Sequence, residues 1–188
     1  MPPPSPKADP GVVSVASFGI YPNSDPTIQS GGGQGDAIQD AIDAVTSNPK
    51  YHTLVFPAGT YLTHDLHIIN HTSTSSNTGG DKKEVEIYFE EGVLLQRDGS
   101  HIGQFTSPGF FTIFNSSGVT LRGLATFDAL NGGQGVYISS STGVTVDGII
   151  MRNTWWWNTE VEHSHHVAFK NYKIPNDPLF PQAQNDGQ

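Results

Sequence analysis

"GVTLRG" occupies residues 118–123 and "GVTVDG" residues 143–148, so nearly the same hexapeptide returns after 25 residues. The register extends both ways: "GVLLQR" begins at Gly92 and "HVAFKN" at His166, giving steps of 26, 25 and 23 residues. In this alignment Val93, Val119, Val144 and Val167 coincide, and two places later Leu95, Leu121, Val146 and Phe169 do. The next column is polar: Gln96, Arg122, Asp147 and Lys170. Alternation with period 2 gives a strand one buried and one exposed face. Gly123, Gly148 and Asn171 then coincide. Glycine and asparagine tolerate a left-handed backbone, so a bend is expected there. A second short apolar stretch follows each bend, at Leu124, at 149–151 and at 172–174.

A strand, a bend and another strand every 23–26 residues describe an all-β parallel β-helix, each coil adding about 4.7–4.9 Å along its axis. Equivalent side chains then stack, and the valine column and the Leu/Val/Phe column are each expected to form a buried ladder. A duplicated hairpin would not require four copies in register. A leucine-rich repeat needs Leu-x-x-Leu-x-Leu with asparagine at a fixed offset, and that pattern is missing.

The rest of the chain agrees. It has 188 residues, 21 glycines, 13 prolines, only 14% charged residues and a net charge of −9. Such a composition favours short strands joined by turns over long helices. An acidic chain is a poor partner for nucleic acid, which requires clustered Lys and Arg. There is no cysteine, which excludes disulfides and Cys-ligated metal. No apolar run reaches the roughly 20 residues of a membrane-spanning helix. Residues 1–12 read as a linker or disordered N-terminus without the apolar centre of a signal peptide, and 13–188 as one incomplete β-helix domain. In "GDAIQDAIDAV" (35–45), Ala37, Ile38, Ala41, Ile42 and Val45 share a helical face, and Pro49 follows. A helix here can cover the open end of the stack and protect its strand edges. "TLVFPAGTYLTHDLHI" (53–68) reads as two strands about a turn, and "NHTSTSSNTGGDKKE" (70–84) as a surface loop.

Four stretches invite a chemical reading. "SGGGQG" (30–35) lacks the Gly-Lys-Ser/Thr of a phosphate-binding loop and reads as a lead-in to the helix. "EHSHH" (162–166) has no carboxylate-rich partner, so its histidines read as surface or ladder residues, and no metal site is assigned. "NTWWWNTE" (153–160) holds all three tryptophans. In a strand Trp155 and Trp157 share one face and Trp156 takes the other, so a ring is expected in the core, and another can line a groove as a platform for a sugar ring. "QNDG" (184–187) is, by itself, a turn.

From about Val13 to Asp186 the chain resembles the polygalacturonase family of pectin-degrading glycoside hydrolases. "VASFGI" is similar to the family's opening strand, "GDAIQDAIDA" to its capping helix and "LVFPAGTYLTHDLHI" to its first full coil. "NTWWWNTEVEHSHHV" resembles the Asn-Ser-Pro-x-Trp segment, with Asn153 and Trp157 in the matching places, and "QNDG" resembles the Asn-(Thr or Gly)-Asp-Gly motif, with Asp186 on its carboxylate. The chain departs from the family at Glu160, where a histidine is usual, and in "NSDPTIQSGGGQGDA", where the cap signature is diluted.

The resemblance implies a right-handed parallel β-helix, a secreted protein, a polysaccharide substrate of the pectin or polygalacturonate type and no cofactor. It implies a catalytic role for Asp186 in activating water, and a substrate-binding role for Asn185, Trp157 and Glu160. Inverting cleavage needs two carboxyls roughly 6.5–9.5 Å apart, one as acid and one as base. The family's further carboxylates belong to coils beyond Gln188, so this stretch is expected to be the N-terminal portion of a longer enzyme, inactive alone and self-associating through an uncapped coil. Two other readings stand beside this one: a calcium-dependent lyase of the pectate-lyase type, and a non-catalytic carbohydrate-binding β-helix. The only adjacent acidic pair is Glu90–Glu91, which ranks the lyase lower.

Overall fold

The computed structural model describes residues 9–22, 34–73, 84–98, 109–155 and 157–174. Eleven strands and one α-helix are found among them. They are β1 (Val12–Ser14), α1 (Gly35–Ser47), β2 (Thr53–Phe56), β3 (Gly59–Thr63), β4 (Leu66–Ile69) and β5 (Val85–Arg97). Then come β6 (Phe111–Phe114), β7 (Ser117–Asp128), β8 (Val136–Ser139), β9 (Thr142–Arg152), β10 (Thr159–Glu162) and β11 (His165–Lys170). They form two sheets. Sheet A runs β1-β2-β5-β7-β9-β11, with β3 beside the second half of β5, and sheet B runs β4-β6-β8-β10. Every strand pairing is parallel.

The chain alternates between the sheets. It crosses sheet B in a short strand, turns a corner, crosses sheet A in a long bent strand and returns one strand further along. The corners repeat in chemistry. Asn70, Asn115, Ser140 and His163 hold the left-handed corner with φ of 58°, 46°, 52° and 47°, and Asn115 Nδ2 donates to Asn70 Oδ1 at 2.7 Å. Each corner amide is satisfied by the serine one pass later. His71 N donates to Ser116 Oγ at 3.1 Å, Ser116 N to Ser141 Oγ at 3.1 Å and Ser141 N to Ser164 Oγ at 3.0 Å. Buried backbone groups away from the ladders must find such partners.

The mid-strand bends of sheet A sit at Gly92, Gly123 and Gly148, all at positive φ. At two of them glycine is compulsory for space as well. A Cβ on Gly123 would stand 1.9 Å from the carbonyl oxygen of Phe89, and one on Gly148 1.7 Å from that of Gly123.

Inward-facing columns make the core. Leu54, Ile87, Leu121 and Val146 are paired in succession, as are Ile68, Ile113 and Ile138, and all are buried. Phe127 gathers the aromatic centre, meeting Phe89 edge-on at 5.2 Å and Phe111 face-on at 6.0 Å. Each such side chain contributes about 1.5–3 kcal/mol by leaving water. The columns lose cover in the last described pass, where Val161 and Phe169 are exposed.

The helix covers the other end. Gln39, on its buried face, treats the His67 backbone as a strand would: Nε2 donates to His67 O at 2.8 Å and Oε1 accepts from His67 N at 2.9 Å. The open edge of β4 is thereby closed. His71 Nδ1 lies 3.1 Å from Thr46 O at the helix end.

Three expectations need correction. The expected ladder begins in the wrong strand segment. Val85, not Val93, pairs with Val119, and Ile87 pairs with Leu121, whereas Val93 pairs with Ala125 and Leu95 with Phe127. Gly92 is the mid-strand bend equivalent to Gly123 rather than a corner residue like Gly118; both kinds of position hold glycine at positive φ before an apolar-polar alternation. The strand expected in "VASFGI" is instead Val12–Ser14, and Val15–Phe18 form a 3-10 turn capped by Ser14, whose side chain accepts from Ala16 N. Ala37 is exposed, and Gln39 takes its place on the covered face.

Candidate functional site

Sheet B has one face in the core and one facing out. Alternation along the four strands places two columns on that face, His67, Thr112, Tyr137 and Glu160, and Ile69, Phe114, Ser139 and Glu162, of which Thr112 and Ser139 are buried. The strand sequences are "LHII", "FTIF", "VYIS" and "TEVE", so Glu160 and Glu162 are the only carboxylates these four strands carry.

Both carboxylates are held from the preceding pass. Tyr137 donates its hydroxyl to Glu162 Oε2 at 2.8 Å. Gln134 donates from Nε2 to Glu160 Oε2. Gln134 is only 8% exposed, and its Oε1 is buried with no partner among the described residues. Burial raises the pKa of Glu160 above the ordinary glutamate range, and the hydrogen bond and negative charge of Glu162 raise it further, against the opposing bond from Gln134. The Tyr137 hydroxyl is also shifted up: a hydrogen bond with Ser139 lowers it, but burial and the two glutamates outweigh that.

The connection before β10 brings tryptophans to the same place. Trp155 N donates to Gly133 O at 3.0 Å and Gly135 N donates to Trp157 O at 2.9 Å, so these residues pair with the two neighbours of Gln134. Trp155 is 59% exposed and Trp157 38%. Neither is the core ring expected of this segment. The connection is braced from below, where Thr154 donates to Asn158 Oδ1 at 3.0 Å and Tyr172 donates to Asn158 O at 3.0 Å. Thr159 in turn donates to the Tyr172 oxygen at 2.6 Å, and burial pushes that phenol well above its usual range.

Two polar pairs near the ends of the sheets are structural. Asp128, buried, accepts from Arg152 Nε and Nη2 at 3.0 and 2.9 Å and from Asn153 Nδ2 at 2.8 Å. Arg97, 2% exposed, is paired with Asp65 and lies over the Phe110 ring at 5.5 Å.

Of the residues expected from sequence, Glu160 lies on this face and Trp157 is exposed three residues before it, while Asn185 and Asp186 lie outside the described residues. Glu162, Tyr137 and Gln134 were not foreseen. The adjacent acidic pair of the sequence is Glu90–Glu91, but neighbours in a strand point to opposite faces, and residues two apart share one. The signal for the other two is the repeat itself, since Gln134 precedes Glu160 by 26 residues and Tyr137 precedes Glu162 by 25.

No family model matches the chain, and no curated protein matches it. Solved structures do. A provisionally assigned glycosyl hydrolase from Parabacteroides merdae superposes with a TM-score of 0.66 at 15% identity, over 86% of this chain and 75% of that one. An iota-carrageenase complexed to iota-carrageenan fragments superposes with a TM-score of 0.50 at 15% identity, over 94% of this chain and 46% of that one. The chain thus spans less than half the length of the carrageenase. At this identity the likeness is one of fold: parallel sheets stacked pass upon pass.

Proposed function

We propose that this chain is part of a secreted glycoside hydrolase built on a right-handed parallel β-helix, and that its polysaccharide substrate lies across the outer face of sheet B. The observation that carries the reading is the convergence of Glu160, Glu162, Tyr137 and Gln134, with the exposed Trp155 and Trp157 joined by backbone hydrogen bonds to the residues flanking Gln134. Carboxylates and an amide accept hydrogen bonds from sugar hydroxyls, and an indole face packs on the apolar face of a sugar ring. The fold shared with a glycosyl hydrolase supports the same reading.

Glu160 and Glu162 are not by themselves the acid and base of such a reaction. They lie side by side on one face of one strand, whereas the two carboxyls of a glycosidase flank the scissile bond, roughly 5–9.5 Å apart. Their role is to hold the sugar, and at least one catalytic carboxyl must come from elsewhere. The motif resemblance nominates Asp186 as a water-activating base in an inverting mechanism.

The test is release of reducing ends from a panel of acidic and neutral polysaccharides by the full-length protein carrying this chain. Turnover is expected, with Asp186→Asn slower by about 10²–10⁴-fold. Undiminished turnover by that variant would remove Asp186 from the mechanism. Binding without turnover would make the protein a carbohydrate-binding β-helix, and a calcium-dependent unsaturated product would make it a lyase.

A further inference from the structure

Charge separates the sugars that this face can accept. The chain has nine lysines and arginines in all. Arg97, Arg122 and Arg152 are paired with Asp65, Glu86 and Asp128. Lys170 lies in sheet A, in register with Asp147, and Lys173 bridges to Ile150 of the same sheet. Lys50 follows α1, and Lys7, Lys82 and Lys83 lie outside the described residues. No strand of sheet B carries a lysine or an arginine. Among the described residues, the strands of the outer face therefore present two carboxylates and no lysine or arginine. A uronate or sulfated sugar would set its own negative charge against Glu160 and Glu162 in a partly desolvated place, where like charges cost most.

A second observation points to a hydroxyl-rich, uncharged ligand. The Gln134 amide is nine-tenths buried against Glu160 and retains an acceptor, Oε1, that nothing among the described residues satisfies. A buried unsatisfied acceptor costs about 1–3 kcal/mol. That acceptor is covered in this structure, and a small shift of the amide would let a hydroxyl arriving beside Glu160 meet it and the carboxylate together. Trp155 and Trp157, paired to the residues on either side of Gln134, supply an apolar surface for the ring of the same sugar.

Resting on the glycosidase reading above, we propose that the subsite formed by Glu160, Glu162, Gln134 and Trp157 takes an uncharged pyranose unit, and so that the polysaccharide is neutral along this stretch. On this proposal the subsite takes a neutral glycan, where the motif resemblance implies pectin.

The experiment is a titration of the 188-residue chain by tryptophan fluorescence and calorimetry. The ligands are neutral β-linked gluco-, manno-, xylo- and galacto-oligosaccharides, oligogalacturonate, sulfated carrageenan oligosaccharides and chitosan oligosaccharides. At least one neutral oligosaccharide is expected to bind, with a Kd unchanged between 50 and 500 mM NaCl because no charge is screened. Glu162→Ala and Trp157→Ala are each expected to weaken it about tenfold or more. Any anionic or amino-sugar oligomer binding more tightly than every neutral one overturns the proposal, as does binding of none. The salt series uses the unmodified chain, so it decides even where a variant folds poorly. Neutral binding without hydrolysis by the full-length protein would end the hydrolase reading and leave this one standing. Hydrolysis of polygalacturonate with tight oligogalacturonate binding would do the reverse.

Discussion

Glu160 and Glu162 leave β10 on the same side, two residues apart, each held from the preceding pass, by Gln134 and by Tyr137. Burial first, and then the neighbouring Glu162, raise the pKa of Glu160 in the fold above the unfolded value near 4.5. The folded chain therefore binds more protons than the unfolded chain between the unfolded pKa and the raised one. Stability falls as pH rises through that window and is flat on either side, as far as this group is concerned. Glu160→Gln fixes the neutral form. It is expected to melt above the parent at pH 7, the gap closing below about pH 4. Thermal melts of both proteins from pH 3.5 to 8 check this, and a gap that widens on acidification would refute the assignment.

Gly143 and Gly148 separate two reasons for glycine. Both have positive φ, 65° and 82°. A Cβ on Gly143 finds its nearest neighbour at 3.6 Å, whereas one on Gly148 would stand 1.7 Å from the Gly123 carbonyl oxygen. Gly143→Ala meets only the left-handed backbone penalty, about 1–2 kcal/mol. Gly148→Ala must also push two strands of sheet A apart and is expected to exceed about 4 kcal/mol, the range reserved for backbone and core failures. Equal urea midpoints for the two variants would contradict the close approach of β7 and β9.

The repeat was legible because two local signals agree in it, alternation with period 2 and a recurring bend residue. Its first copy was misplaced because those signals do not say which bend they mark. Gly92 and Gly118 are both followed by valine and then alternation, yet one lies mid-strand and the other at a corner. The helix was legible from its apolar face, but Gln39 was not, since a polar residue facing the core makes sense only once the His67 backbone is known to be its partner. The site divides the same way. Trp157 and Glu160 belong to one contiguous motif. Tyr137 and Gln134 reach it from the previous pass, and a separation of one repeat is invisible until the register is fixed.

Gln39 carries the second stability prediction that sequence reading would have missed. Gln39→Leu keeps the volume and the helix but leaves His67 N and O without partners at a covered strand edge. At roughly 1–3 kcal/mol per unsatisfied group the loss should be at least about 2 kcal/mol. Gln39→Glu keeps the acceptor, loses the donor and should fall between. Urea unfolding orders the three proteins, and hydrogen exchange at the His67 amide should rise in Gln39→Leu and stay protected in Gln39→Glu. A neutral Gln39→Leu would show that water, and not the helix, satisfies the edge of β4.

Two ion pairs of one chemical kind should differ in what they contribute, because only one is buried. Arg97 is 2% exposed and its partner Asp65 15%, while Arg122 and Glu86 are 24% and 22% exposed. The Arg97 guanidinium is sealed over Phe110 and under Gly132, with Nε and Nη1 meeting no acceptor among the described residues. The Asp65 carboxylate is thus the charge that makes its burial tolerable. Asp65→Asn strands a buried cation and should cost about 3–5 kcal/mol. Glu86→Gln breaks a half-open pair whose arginine also lies 4.9 Å over the Tyr88 ring, and solvent screening should hold that loss to about 1 kcal/mol or less. The cause can be isolated with a double variant. Arg97→Met combined with Asp65→Asn removes the stranded charge and should be more stable than Asp65→Asn alone. Urea denaturation of the four proteins at pH 7 gives the answer. If the double variant is no better than the single one, the loss comes from the missing carboxylate's packing and hydrogen bonds, and the uncompensated charge is not its origin.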